Sequence, residues 1–405
     1  MMWNWQAGLM QRAGAAAPDG RTLAGVGSLL LTGATGFIGG NVLVAAVNAG
    51  LSSRLVCLVR GADTDEALER LRRNAMLCGL PASRAGWLGK DNVIVGALDT
   101  AFSDTERARL ARVTHVINCA AMASFSANPR VTRVNVEDTL RFAANFAGSG
   151  ALRRFIHVGT AMSCGTSRST RVREADIDGA GTPGDGGAAG EGASGHLVPY
   201  TRSKQIVEQL LQRLYPDLPL VVARPSIVVG HTVLGTKPSG SIFWLFHIIH
   251  RVRRYTARPQ ARLDVIAADD CAQALLRLAL KPELRFRFYH LSAGSGAPTI
   301  AQVLAAMDEF AADDDAPAYR VCRVGDLPAL ARDVARAERI GNHRLIERAL
   351  HVYAGFAELG YVFDNQRSRE EIGFAPLSIT DYVSECMRTS RGVGLLEQMR
   401  WDFKA

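Results

Sequence analysis

Tyr200 and Lys204 stand four residues apart in PYTRSK, a spacing that puts both on one face of a helix. An ammonium beside a phenol favours the phenolate and lowers a pKa that starts at about 10. The same lysine can hold the ribose hydroxyls of a dinucleotide. Thr160, in HVGTAMSCG at the end of the apolar run Arg154–Val158, is the candidate third member, a hydroxyl able to donate to a carbonyl oxygen. Ser163 is its rival, and either hydroxyl can instead cap a backbone turn. Residues 179–195, rich in Gly, Ala and acidic side chains, separate Thr160 from Tyr200. The two share a site if that segment loops outward.

A second cluster binds rather than reacts. Gly33-Ala34-Thr35-Gly36-Phe37-Ile38-Gly39 lies between the apolar run Ser28–Thr32 and the Val-, Leu- and Ala-rich stretch Asn41–Asn48. Glycines in a strand–turn–helix context let backbone approach a pyrophosphate, whose charge meets the free amides at the helix start. About 20 residues on, where an acidic side chain bonds the ribose hydroxyls in sites for NAD, this sequence has Arg60. Its guanidinium can pair with the 2′-phosphate of NADP and stack beside adenine. Arg70 can add a second phosphate contact from the following helix. Asp63 lies close by and keeps NAD open.

These groups need elements to carry them. Strands are predicted over Ser28–Thr32, Arg54–Arg60, Asn92–Val95, Val113–Cys119, Arg154–Val158, Leu218–Ala223 and Phe288–Leu291. Helical sequence is predicted over Thr64–Leu77, Val136–Phe146, Thr201–Leu214, Ala301–Ala311 and Leu330–Tyr353. Apolar strands alternating with helices predict an α/β fold, a doubly wound, mostly parallel sheet covered on both faces. The expected organisation is a leader over 1–27, a Rossmann-like nucleotide-binding domain over 28–230 with a flexible insertion over 179–195, and a smaller helix-rich substrate-binding region over 231–405. Some segments of that last region return to the main domain.

The 405 residues carry a net charge of +8, which favours anionic partners such as a phosphorylated cofactor. The basic residues are dispersed and form no nucleic-acid-binding module, so no nucleic-acid partner is expected. Seven cysteines are scattered without a C-x-x-C pair, which excludes a disulfide framework or thiolate zinc site and fits a reducing, cytoplasmic setting. No metal site is expected, the histidines lacking a ligand-like pattern. No run reaches the length of a membrane span, and no integral membrane segment is expected.

Taken together, these motifs resemble an extended member of the short-chain dehydrogenase/reductase superfamily. Within it the chain is most similar to the thioester reductases that end nonribosomal peptide and polyketide assembly lines, and to the fatty acyl-CoA and carboxylic acid reductases. GATGFIGG matches the glycine fingerprint, and LVRGADTDEALERLRRNA resembles the NADP-binding stretch with Arg60 and Arg70. VINCAAMASF resembles the strand passing the nicotinamide, which brings in Asn118, Ala120 and Ala121. RVNVEDT supplies Asn135, and RPSIVVG supplies Arg224, Pro225 and Gly230. The resemblance makes Thr160, Tyr200 and Lys204 the catalytic trio. It also implies Gly33, Thr35, Gly36, Phe37, Ile38, Gly39, Arg60, Arg70, Asp99, Asn118, Ala120, Ala121, Asn135, Tyr200, Lys204 and Pro225 around NADP(H). Two departures stand out. The acidic residue that the family puts straight after its glycine comes three residues later here, as Asp99 after Gly96, and Gly159 precedes Thr160.

The resemblance implies NADPH-dependent reduction of an acyl thioester, bound to a carrier protein or to coenzyme A, to an aldehyde or on to an alcohol. The alternative is a dehydrogenase, ketoreductase or epimerase acting on a free or nucleotide-linked carbonyl or hydroxyl compound. One more segment invites a role. In SIFWLFHIIHRVRRY, Ile242, Leu245, Phe246 and Ile249 form an apolar stripe, expected to line the acyl pocket. Arg251, Arg253 and Arg254 are expected to guide a pantetheine phosphate or an acidic carrier towards it.

Overall fold

The computed structural model describes residues 27–126, 128–166, 169–174, 195–239, 241–311 and 316–399. The expected leader, apart from its last residue, and the expected insertion, apart from Gly195, lie outside them. Seven apolar segments form one sheet: β1 (Leu29–Thr32), β2 (Leu55–Val59), β3 (Val93–Val95), β4 (His115–Asn118), β5 (Arg154–Val158), β6 (Leu220–Pro225) and β7 (Phe288–Leu291). Their order is β3-β2-β1-β4-β5-β6-β7, parallel throughout. β1, β4, β5, β6 and β7 are buried at every residue, as continuous apolar strands must be when helices cover both faces.

The principal helices are α1 (Phe37–Asn48), α2 (Thr64–Leu77), α3 (Pro199–Leu214) and α4 (Phe243–Val252). After them come α5 (Ala268–Leu280), α6 (Ile300–Ala311), α7 (Leu327–Ala337), α8 (His343–Leu359) and α9 (Ile379–Ser390). Val42, Leu43, Leu71, Leu275 and Leu278 from α1, α2 and α5 share one core layer. Val207 and Leu211 of α3 join Phe142 and Phe155 in a layer with different members. Thus α5 and β7, both beyond residue 230, complete the sheet and its cover. The remaining helices α4, α6, α7, α8 and α9 pack a further core around Trp244, Met307, Val334, Leu350 and Tyr382.

Chain direction across the sheet reverses between β1 and β4, so the loops leaving these strands diverge and open a crevice at their carboxyl ends. The helices α7 and α8 occupy the stretch read from sequence as one continuous helix over Leu330–Tyr353. The Arg339 and Ile340 amides bond back to Arg336 O and Ala335 O, at 3.3 and 2.8 Å, with Arg339 at φ 56°. That is a Schellman cap. An arginine, not the usual glycine, occupies its left-handed position, which hides the break from a pattern reading. The helix expected over Val136–Phe146 likewise divides, into a π-helical turn over Arg133–Asp138 and an α-helix over Thr139–Ala144.

Candidate active site

A cavity of about 950 Å³ runs along the carboxyl ends of the strands. Its floor is the turn from β1 into α1. Gly36 N–H closes that turn on Gly33 O at 2.8 Å. Gly33 takes φ +70°, and a Cβ there would lie 2.8 Å from Ala120 N. A Cβ on Gly39 would lie 2.2 Å from Gly33 O, so only glycine lets the first turn of α1 sit on the loop. No acidic side chain stands in that first turn, which leaves its amides and the helix dipole free for an anion. Thr35, Phe37 and Ile38 line the cavity with these glycines. A cradle shaped by missing side chains and ending on a helix start fits the pyrophosphate of a dinucleotide.

Arg60, Arg70 and Asp99 line the same cavity beside Leu58. Arg70 Nη1 donates to Arg60 O at 2.7 Å, so Arg70 braces the end of β2 as well as facing the cleft. Asp63, the residue that kept NAD open, caps α2 and accepts from Glu66 N at 2.8 Å. Its carboxylate is thereby committed to the helix, and Arg60 is exposed at the mouth.

Tyr200 and Lys204 occupy the first turns of α3, which begins on Pro199, where a missing N–H costs nothing. Both line the cavity opposite Thr160, Ala120, Ala121 and Pro225. Thr166 N donates to Gly195 O at 2.6 Å, so the chain returns to its starting point across the segment between them, and Thr160 and Tyr200 meet one cleft. Thr160 Oγ1 caps the following turn, accepting from Met162 N at 3.3 Å. Accepting leaves its own O–H free to donate into the cavity. Ser163, the rival, is buried and donates to Glu208 Oε2 at 3.5 Å, away from the cleft lining.

The expected effect of Lys204 on Tyr200 is corrected. Lys204 Nζ donates to Val158 O at 2.7 Å. Burial pushes the Tyr200 phenol up to about 12, with the Glu208 charge adding to it, so the phenol holds its proton near neutral pH. Burial brings Lys204 down to about 8 against the attraction of Glu208. Two residues carried over as cofactor contacts stand behind the wall and brace it. Asn118 Oδ1 accepts from Thr32 Oγ1 at 2.5 Å, and that hydroxyl accepts from Ala120 N at 3.1 Å. Asn135 clasps Met122, accepting from its N–H at 2.7 Å and donating to its carbonyl at 3.2 Å, and also donates to Ser203 Oγ on α3 at 3.0 Å.

The aromatic part of the far wall was not read from sequence. Phe125 lies with ring centroids 6.0 Å from Tyr200, 5.5 Å from Tyr353 and 5.8 Å from Phe356, and all four side chains line the cavity. The apolar stripe proposed for this wall contributes Ile242, while Phe246 is buried in the helical core and Leu245 and Ile249 pack against it. The arginines proposed to guide a phosphate have internal partners: Arg251 pairs with Glu338, Arg253 with Asp308, and Arg254 with Asp333 at 3.8 Å. Arg253 also stacks over Tyr319 at 4.6 Å. All seven cysteines are free. Among the described residues no His/Cys/Asp/Glu group could hold a metal ion, and no helix is long and apolar enough to cross a membrane.

A family model described as Male sterility protein, an NAD-binding family, matches residues 31–275, more than half of the chain. The chain belongs to this family. Membership of the Male sterility protein family, with the glycine cradle, makes the chain an NAD(P)-binding oxidoreductase. It is 25% identical over 281 residues to the non-canonical nonribosomal peptide synthetase FrzA of a Cladobotryum species, over 65% of this chain and 26% of that protein. The chain spans about a quarter or less of the length of the curated relatives it matches. Its fold is that of the terminal R domain of the myxalamid PKS-NRPS biosynthetic pathway, with a TM-score of 0.71 at 19% identity over 94% of this chain and 97% of that one. A thiolation-reductase di-domain of an archaeal non-ribosomal peptide synthetase gives 0.65 at 16% identity, over 90% and 75%.

Proposed function

We propose that this chain is an NADPH-dependent reductase of acyl thioesters, and that it releases the acyl group from its thiol as an aldehyde. The observation that carries the reading is one continuous cavity, from the glycine cradle past Thr160, Tyr200 and Lys204 to the aromatic wall of Phe125, Tyr353 and Phe356. When bound, the nicotinamide supplies a hydride to the carbonyl carbon. Thr160 and Tyr200 donate to the carbonyl oxygen, where negative charge grows, and Tyr200 gives it a proton. A phenol held at about 12 stays protonated until that charge appears. Lys204, one turn along α3 from Tyr200, supplies a positive charge and would hold the ribose hydroxyls of the cofactor. The hemithioacetal then collapses, expelling the thiol. The aromatic wall of Phe125, Tyr353 and Phe356 suits an apolar acyl group.

Preference for NADP(H) is supported by Arg60 at the mouth and by the commitment of Asp63 to its helix cap. Delivery of the thioester on a carrier protein is supported by the likeness to a di-domain in which thiolation and reductase units share a chain. The test is NADPH oxidation against panels of acyl-CoA and acyl-pantetheine thioesters, with products identified by mass spectrometry. Aldehyde from thioesters is the expected result. Turnover only with free ketones or nucleotide-linked sugars overturns it.

A further inference from the structure

Glu208 lies two turns beyond Tyr200 and one beyond Lys204, on the same face of α3. It is 1% exposed. Arg224, on β6, donates to Glu208 Oε2 through Nε at 3.0 Å and Nη2 at 2.5 Å, and is itself buried over the Phe288 ring at 4.8 Å. Neither Glu208 Oε1 nor Arg224 Nη1 has a hydrogen-bond partner. A carboxylate is costly to bury, and one bonded through a single oxygen is costlier still.

What the free oxygen occupies explains the departure noted before Thr160. A Cβ built on Gly159 would lie 2.1 Å from Glu208 Oε1 and 3.3 Å from Arg224 Cγ. Gly159 is therefore the space into which the carboxylate fits, and its N–H is fixed to Ala223 O at 2.8 Å. The backbone that presents Thr160 rests directly on the Glu208–Arg224 pair. The carboxylate also attracts Lys204, one turn back on α3.

We propose that Glu208 is a positioning residue: wedged against Gly159 and Arg224, it sets the height of the Thr160 backbone and supplies the counter-charge to Lys204, one turn back on α3. The proposal rests on the reading of Thr160, Tyr200 and Lys204 as the reducing trio. Around Lys204 the other titratable groups are Tyr200 on α3, Cys119 after β4, His157 on β5 and Arg224 on β6. Burial holds the Cys119 thiol up to about 12 and His157 well below its usual range, so both are neutral. Burial also raises the Glu208 carboxyl, and Arg224 and Lys204 pull it back. Among these groups Glu208 is the counter-charge to two cations.

Two measurements separate this from a merely structural role. The chain has five lysines, Lys90, Lys204, Lys237, Lys281 and Lys404, so a carbon-13 label at lysine Cε resolves Lys204, assigned by its loss in Lys204→Arg. The wild-type signal is expected to titrate at about 8. In Glu208→Gln, which keeps the side chain's shape, the midpoint drops by about one pH unit or more. The other measurement is a rescue. Gly159→Ala lowers kcat at least about tenfold while the NADPH Kd stays within about threefold, because the new methyl meets the carboxylate and not the cradle. Adding Glu208→Asp withdraws the carboxylate and recovers about fivefold or more. An unmoved Lys204 midpoint in Glu208→Gln, or a double variant as poor as the product of the singles, overturns the proposal. Tyr200→Phe, run beside them, tests the trio itself. Wild-type turnover there overturns the trio reading, while the Lys204 titration reports on Glu208 with no substrate present.

Discussion

The two walls of the cleft are built on different principles. The cofactor wall is local: the glycine turn, α1 and the end of β2 lie within about forty residues, and each contact follows from a short motif. The opposite wall is assembled from afar, with Phe125 after β4, Ile242 before α4, and Tyr353 and Phe356 on α8. Its residues share no motif and meet only because the helical core holds α8 over the crevice. A nucleotide site can be written in one segment because backbone amides do the binding. An apolar wall needs side-chain volume from several directions.

That contrast can be tested at the line where the walls meet. Tyr200→Phe should leave NADPH binding intact and cut turnover by about a hundredfold or more, measured by steady-state kinetics beside cofactor titration. Next in size, Arg60→Ala should raise the Kd for NADPH by about tenfold or more and leave NADH nearly unchanged, since a guanidinium–phosphate pair is lost. Equal losses for both cofactors would remove Arg60 as the reader of the extra phosphate. On the far wall, Phe356→Ala should lower kcat/KM for long apolar acyl thioesters by roughly tenfold, from apolar area no longer covered. Short acyl groups and the NADPH Kd should barely move. If the cofactor Kd rises as much as the acyl term, the walls are not separable.

The smallest expected effect falls on the arginines after α4. Arg251 and Arg254 are about half exposed, at 50% and 52%, and pair with Glu338 and Asp333. Replacing either by Ala should cost less than about 1 kcal/mol of stability, as exposed ion pairs do. KM should stay the same for a carrier-bound thioester and for its short uncharged analogue. A selective rise in KM for the carrier-bound substrate would restore these arginines as its guides.

What could be read from sequence follows the same division. β5 and β7 and the helix over Thr64–Leu77 appear where the apolar runs placed them, because a buried parallel strand or an amphipathic helix declares itself in composition. Tyr200 and Lys204 were legible as a helical pair, but the direction of the Tyr200 shift was not, since burial outweighs a neighbouring charge that sequence alone cannot weigh. Asn118 and Asn135 were found by motif yet act one layer back. The arginines looked like a docking patch because their partners Glu338, Asp308 and Asp333 lie 55 or more residues away in the chain. Glu208 did leave a signal: a glutamate between Val207 and Leu211 on the buried face of α3. Gly159 left another, which makes sense only once Glu208 is beside it.

The parallel sheet has a practical corollary at its other rim. The cleft opens at the carboxyl ends of the strands, so the loops feeding the amino ends face elsewhere. Gly150, just ahead of β5, is exposed, and a side chain built on it would meet no atom within 4 Å. β5 then runs for roughly 16 Å before the chain turns towards Thr160. Gly150 is thus a natural anchorage for a fluorophore or a surface tether, one that reports on the enzyme while staying a full strand's length from the chemistry.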